Sequence, residues 1–288
     1  MLFADGASLA FIEIPKNGSK SIKLALEAGF GLDSGPIARD LGLTPEEFDA
    51  AYQRGRVAFN PVVDTSNVDH LSLANLALHM PGTLAAFRQA NSFALVRQPR
   101  GRFISALLQR LGQFDDHKNL RADDPIVQTE ARQTCDWLDG RGVFADTAYI
   151  HFTRQVDFVD LDGERVVDAV FPIERTDAAA AWVEQVTGKA IHIAHEHARR
   201  EPKSWAKLVQ PPARFIGRHL IPTAVKRVIY PLWRNSRVFD DASKSYGVVE
   251  LGDDVEAFIA SYYAADARLY DEARAAVAAP APADRIAS

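Results

Sequence analysis

The chain has 288 residues, with 33 Lys and Arg against 38 Asp and Glu, a net charge of −5 and an apolar share of 47%. That length can bury a substantial core, and the acidic balance excludes a protein whose main partner is bulk nucleic acid. The single cysteine, Cys135, excludes an internal disulfide framework and a Cys-rich metal site, and it fits a buried apolar role in a reducing compartment.

The N-terminal stretch "MLFADGASLAFIEIPK" has no basic leader, and its apolar residues read as part of a first strand, "SLAFIEI" (8–14). A turn, "PKNGSKS", then opens a helix, "KSIKLALEAG" (20–29). Helical periodicity returns in "TPEEFDAAYQRG" (44–55), where Thr44, Pro45, Glu46 and Glu47 form a start signal, and in "LANLALHM" (73–80) and "GTLAAFRQA" (82–90). A second strand, "SFALVR" (92–97), leads into "RGRFISALLQRL" (100–111), followed by a helix at 128–142. Strands are predicted again at "TAYIHF" (147–152) and "VVDAVFPI" (166–173), then a helix at 177–188 and one long helix at 254–278.

Strands alternating with helices predict an α/β fold with a central, mostly parallel sheet flanked by helices. The reading is one domain over residues 1–276 and a disordered Ala/Pro-rich tail over 277–288. No run approaches the ~18 apolar residues of a membrane span, so the expected location is cytoplasmic.

One stretch departs from the average. Within 202–239 lie Lys203, Lys207, Arg214, Arg218, Lys226, Arg227, Arg234 and Arg237, with no Asp or Glu, which leaves −13 for the rest of the chain. Aromatic and branched residues are interleaved, including Trp205, Ile221, Tyr230 and Trp233. Arg218, Lys226 and Arg227 are candidates for gripping an anionic sugar polymer or for peripheral contact at the inner membrane face. A merely solvated basic loop is the other reading.

A turn between a strand's C-terminal end and a helix's first turn is where α/β folds hold phosphates, because free N–H groups and the helix dipole meet the anion there. Gly18 lets the backbone come close, Lys16 and Lys20 add charge, and Ser19 and Ser21 add hydroxyls. The stretch fails the nucleotide pattern G-x-x-x-x-G-K-[ST], and alone it is equally a plain strand–helix turn. A second strand–turn–helix places Arg97 at a strand end and Ser105 eight residues later. Arg offers a planar two-pronged donor to an oxyanion, so two anion-binding turns suggest a ligand with two separated phosphate-like groups.

"FIEIPKNGSKSI" and "FALVRQPRGRFISA" resemble the two turns "F-I-H-I-P-K-T-G-G-T-S" and "F-x-F-V-R-D-P-x-E-R-F-x-S-A" of the sulfotransferases that use 3′-phosphoadenosine 5′-phosphosulfate (PAPS). The closer likeness is to the Golgi-type carbohydrate enzymes and their bacterial counterparts. "HFTRQVDFV" (151–159), "VFPIE" (170–174) and "YYAADARLYD" (262–271) are similar to later segments, in the same order. The resemblance implies a P-loop-like three-layer fold and transfer of a sulfuryl group from PAPS to a hydroxyl of a carbohydrate or glycoconjugate, without a metal. It implies that Lys16, Asn17, Gly18, Ser19, Lys20 and Ser21 hold the 5′-phosphosulfate, and that Arg97 and Ser105 hold the 3′-phosphate. The chain departs from the pattern at Asn17-Gly18-Ser19-Lys20 and at Gln98, where relatives carry Thr-Gly-Gly-Thr and Asp.

Lys16 is the candidate for neutralising charge on the departing phosphate. The general base is His70, which opens "DHLSLANLALHM", or Glu13, which stands where many relatives have His. A capping histidine and a sheet-edge carboxylate are the structural alternatives. His151 reads as a structural partner of Gln155, and His192, His195 and His197 as a solvated loop rather than a metal site. A small-molecule kinase and an inactive nucleotide- or glycan-binding relative remain as alternatives to the transferase.

Overall fold

In the computed structural model, residues 1–114, 124–193, 200–202, 239–241 and 249–278 are described. Their strands are β1 (Leu2–Ala4), β2 (Leu9–Ile12), β3 (Asn91–Val96), β4 (Asp160–Leu161), β5 (Glu164–Arg165), β6 (Ala169–Pro172), β7 (Arg200–Pro202) and β8 (Phe239–Asp241). The helices, numbered among the described residues, begin with α1 (Ser19–Phe30), α2 (Gly35–Asp40), α3 (Pro45–Gln53), α4 (Leu73–His79) and α5 (Pro81–Gln89). They continue with α6 (Pro99–Phe114), α7 (Pro125–Leu138), α8 (Thr176–Thr187), α9 (Asp253–Tyr262) and α10 (Ala264–Ala278).

Four strands form the central sheet in the order β1-β2-β3-β6; β2, β3 and β6 are parallel, and β1 is antiparallel to β2. Every residue of β2 is buried, as a parallel strand covered on both faces requires. Leu9, Phe11, Phe93 and Leu95 pack with Ile22 and Leu26 of α1 and Ala179 and Val183 of α8. The alternate residues Ala10, Ile12, Ala94 and Val96 pack with α2, α4, α5 and α10 through Ile37, Leu76, Phe87 and Leu269. Helices therefore flank the sheet on both faces. A further cluster joins α6, α7 and α9 through Leu107, Ala131 and Ile259.

Four sequence expectations need correction. The N-terminal apolar residues form their own antiparallel strand, because Asp5, Gly6 and Ala7 all take positive φ and reverse the chain. "TAYIHF" is a turn followed by a 3-10 helix, Ile150–Phe152. Asp146 sets that turn: its Oδ1 accepts from Ala148 N at 2.8 Å and its carbonyl from Ile150 N at 2.7 Å, so local bonds outcompete pairing with a sheet. The long C-terminal helix breaks at Tyr263, which is buried with its hydroxyl donating to Phe152 O at 2.7 Å. Val277 and Ala278 are helical rather than part of a tail; residues 279–288 lie outside the described residues, as does the basic stretch 203–238 with Arg218, Lys226 and Arg227.

A buried polar framework ties these pieces together. Gln155, fully buried, accepts at Oε1 from Arg97 N (2.9 Å) and Asn17 Nδ2 (2.7 Å), and donates from Nε2 to Arg97 O (2.8 Å). Arg102, 1% exposed, donates to Pro15 O (3.0 Å), Thr153 O (2.7 Å) and His151 O (3.1 Å). Asp266 of α10 accepts from the backbone N–H groups of Gln155 (2.8 Å) and Val156 (3.1 Å). Burial raises the Asp266 carboxyl to about 6, against the opposing pull of Arg102 and the two amides. Asp266→Ala leaves two buried amides and part of the Arg102 charge uncompensated. It should cost about 3 kcal/mol in urea unfolding, while an exposed control such as Glu272→Ala stays within ~0.5 kcal/mol.

Candidate functional site

β2 and β3 are neighbours and parallel, so the turns at their C-terminal ends leave the sheet side by side. The first runs from Glu13 to Gly18 and opens α1. Lys16 takes φ +70 and Gly18 φ +79, both left-handed. Only glycine adopts that conformation without strain, and a Cβ on Gly18 would also meet Ile173 Cδ1 at 3.2 Å. Helix α1 carries no acidic residue in its first turn and no side-chain cap, and of its leading N–H groups that of Ser21 bonds Gly18 O at 3.2 Å. Ser19 and Ser21 are half-buried there and Lys20 is exposed.

The second turn, after β3, begins with Arg97. Its Nη1 donates to Lys16 O at 3.3 Å, which brings the Arg97 guanidinium to the backbone of the first turn at one edge of the sheet. Gln98, where relatives carry Asp, keeps a capping role, accepting from Gly101 N at 2.8 Å at the start of α6. On α6, Arg102, Ser105 and Gln109 recur at helical spacing on the face that meets the first turn. Arg102 bonds Pro15 O, Gln109 Oε1 accepts from Lys16 Nζ at 2.5 Å, and the buried Ser105 lies between them.

Asn17 has a different place from the one expected. Its side chain is buried, with Nδ2 donating to Leu95 O and Gln155 Oε1 at 2.7 Å each, so it braces the turn from inside. Gln109, Arg102 and Asp266 were not singled out from the sequence. Arg102 and Asp266 stand inside the segments quoted for the resemblance, and a charged residue on an otherwise apolar helix face was the available signal.

The two candidate bases also separate. Glu13 is 5% exposed and points among Met1, Asp69 and Lys23, with the Met1 amine 3.8 Å from its Oε2. Burial, with help from the Asp69 charge and against the Met1 amine, raises its carboxyl to about 7. Asp69 is itself held by the Tyr52 hydroxyl. His70 is half-buried, with Nδ1 3.4 Å from Glu13 O. A carbonyl only accepts, so Nδ1 carries the proton and Nε2 the lone pair. The His151 ring stands edge-on to His70 at 5.6 Å between centroids, rather than bonding Gln155 as the sequence suggested. Burial lowers both imidazoles, helped by Lys16, and His151 falls to about 3. Both are neutral near pH 7.

Among the described residues, no group of three His, Cys, Asp or Glu is arranged to hold a metal, and no helix is long and apolar enough to cross a membrane. His195 and His197 lie outside the described residues.

Because Glu13 is raised from 4.5 to about 7, the folded protein keeps a proton in that window which the unfolded chain releases, and stability falls as pH rises through it. Glu13→Gln removes this loss. Its stability relative to wild type should therefore be greater at pH 8 than at pH 5, by roughly 2–3 kcal/mol in denaturant titrations. A difference that does not change with pH refutes the assignment.

Comparison of the chain with protein-family models, with curated proteins and with solved structures gives no match.

Proposed function

We propose that the protein is a sulfotransferase that moves the sulfuryl group of PAPS to a hydroxyl of a carbohydrate or glycoconjugate. The observation that carries this reading is the meeting of Lys16 and Arg97 at the ends of adjacent parallel strands, with Arg97 Nη1 3.3 Å from Lys16 O. Two cationic turns side by side suit one molecule bearing two anionic groups. The sheet covered on both faces, with an acid-free helix start after β2, supports the three-layer, P-loop-like reading.

In this reading the first-turn N–H groups of α1, with Ser19, Lys20 and Ser21, bind the 5′-phosphosulfate. Arg97 and Ser105 bind the 3′-phosphate. The acceptor oxygen attacks sulfur in line as the bond from sulfur to the 5′-phosphate oxygen breaks. The electron pair goes to that phosphate oxygen, where Lys16 Nζ offsets the growing charge, and His70 Nε2 takes the acceptor proton. A neutral His70 beside these cations is suited to that task, whereas Glu13 faces the interior and is better placed to hold Met1 and the His70 segment. The products are a sulfate ester and adenosine 3′,5′-bisphosphate.

Thermal shift tests the donor half: adenosine 3′,5′-bisphosphate should stabilise the protein and ATP with Mg²⁺ should not. Radiolabelled PAPS should pass its label to a carbohydrate acceptor. Arg97→Ala should weaken bisphosphate binding 10- to 100-fold, corresponding to the ~1.5–3 kcal/mol of a charge-assisted hydrogen bond. Preference for ATP, or no nucleotide response, overturns the reading. Gln109→Leu removes the amide oxygen that accepts from Lys16 Nζ, and kcat should fall about tenfold with donor KM little changed, the pattern of an interaction needed most in the transition state.

A further inference from the structure

A cavity of about 680 Å³ lies between the loop 56–64 and the turn 145–148. Its polar lining includes Arg56, Asn60, Asp64, Asp146 and Thr147, with Ala58 among the apolar residues. The volume falls within the roughly 300–1,000 Å³ of small-molecule sites.

The wall is held by its own backbone. Asn60 Oδ1 accepts from Val62 N (2.9 Å) and Val63 N (2.7 Å), and Asp64 Oδ1 from Ser66 N (2.7 Å). Asn67 joins the two sides, donating from Nδ2 to Val62 O (2.7 Å) and Ala145 O (3.1 Å). Arg56 Nε is engaged by Asp64 Oδ2 at 2.9 Å. Among the described residues, the Asn60 amide nitrogen, the second Asp146 oxygen and the Thr147 hydroxyl have no protein partner.

The cavity and the histidine pair share the same two segments. Asn67, in the lining, accepts at its carbonyl from His70 N at 2.8 Å, one 3-10 turn or ~6 Å along the chain. Ala148, also in the lining, precedes His151 by three residues, and the two rings meet at 5.6 Å. Beyond them the His70 Nδ1 reaches Glu13 O, three residues before Lys16.

We propose that this cavity seats the acceptor, and that the acceptor is an uncharged, polyhydroxylated sugar. This rests on the sulfuryl-transfer reading for its chemistry. The lining holds two carboxylates against one guanidinium, so a uronate or sulfated sugar meets net repulsion. A plain apolar alcohol leaves the amide, carboxylate and hydroxyl desolvated without partners. A sugar supplies donors and acceptors to all three, and the hydroxyl that must reach His70 is the one nearest Asn67, whose carbonyl accepts from His70 N.

Two measurements on the full chain test this. Ala58→Trp and Ala148→Trp narrow the cavity without altering Lys16, Arg97, Ser105 or His70, and Thr147→Lys adds a positive charge to its lining while leaving the Asp146 turn bonds in place. With labelled PAPS and a panel of neutral methyl glycosides, both Trp variants should raise the acceptor KM at least tenfold, while stabilisation by adenosine 3′,5′-bisphosphate stays at the wild-type value. Thr147→Lys should shift preference toward a methyl uronate. Saturation-transfer NMR with the same glycosides reads binding directly, whether or not turnover occurs, and the signal should disappear in the Trp variants. No glycoside binding to wild type, binding that survives both Trp variants, or wild-type preference for the uronate overturns the proposal. Loss of the bisphosphate response in wild type instead overturns the donor reading and leaves the glycoside result to decide the cavity on its own.

Discussion

The carboxamide of Gln155 closes on both the N–H and the carbonyl of Arg97 while holding the Asn17 amide, and the rest of the site depends on that clamp. A buried amide is costly to desolvate unless each of its polar atoms finds a partner. Here the partners come from the turn after β2 and the end of β3. The backbone N–H of the same residue is held by Asp266 of α10, so Gln155 as a whole fixes three distant parts of the chain in register. Arg102 repeats the logic with a charge: its planar fork reaches carbonyls on both the first turn and the 151–153 segment, which the single ammonium of a lysine does not match. Between them, these two side chains make the spacing of the strand-end turns a property of the core.

Electrostatically the site is graded. Arg97 and Arg102 donate to the carbonyls of Lys16 and Pro15 in the turn that opens α1, whose helix dipole has the same sign as their charge. Behind them stand two imidazoles that stay neutral because they are removed from water near those cations. Deeper still, Glu13, Asp69 and Tyr52 form an acidic cluster around the Met1 amine, with the carboxyl of Glu13 shifted far enough to titrate near neutrality. Three local features contribute to the order of these layers: the left-handed turn at Lys16, the 3-10 turn at Val68–His70 and the 3-10 turn at Ile150–Phe152.

Much of this was legible in the sequence, and the parts that were not share a cause. The apolar runs of β2 and β3 and the glycine at the helix start announced both turns, because full burial and positive φ leave strong local signatures. The Thr44 capping box was equally plain, with Thr44 and Glu47 each bonding the other's backbone. "TAYIHF" misled because its β-prone side chains outvoted one aspartate, Asp146, whose hydrogen bonds decide the backbone. Asn17 looked like a ligand-binding residue because its position in the turn was visible and the direction of its side chain was not. Gln109 escaped notice since its role depends on a partner 93 residues away. Long-range pairing of polar side chains has no periodicity to read.

The adjacency of β2 and β3 carries one more consequence. Neighbouring strands lie ~4.8 Å apart, so the sheet acts as a ruler that no side-chain rotation can stretch. On the proposed donor reading, a ligand is then sorted by shape before charge: one whose anions branch from opposite sides of a single sugar ring can reach both strand ends at once, whereas a linear chain of phosphates crowds its charge into one turn.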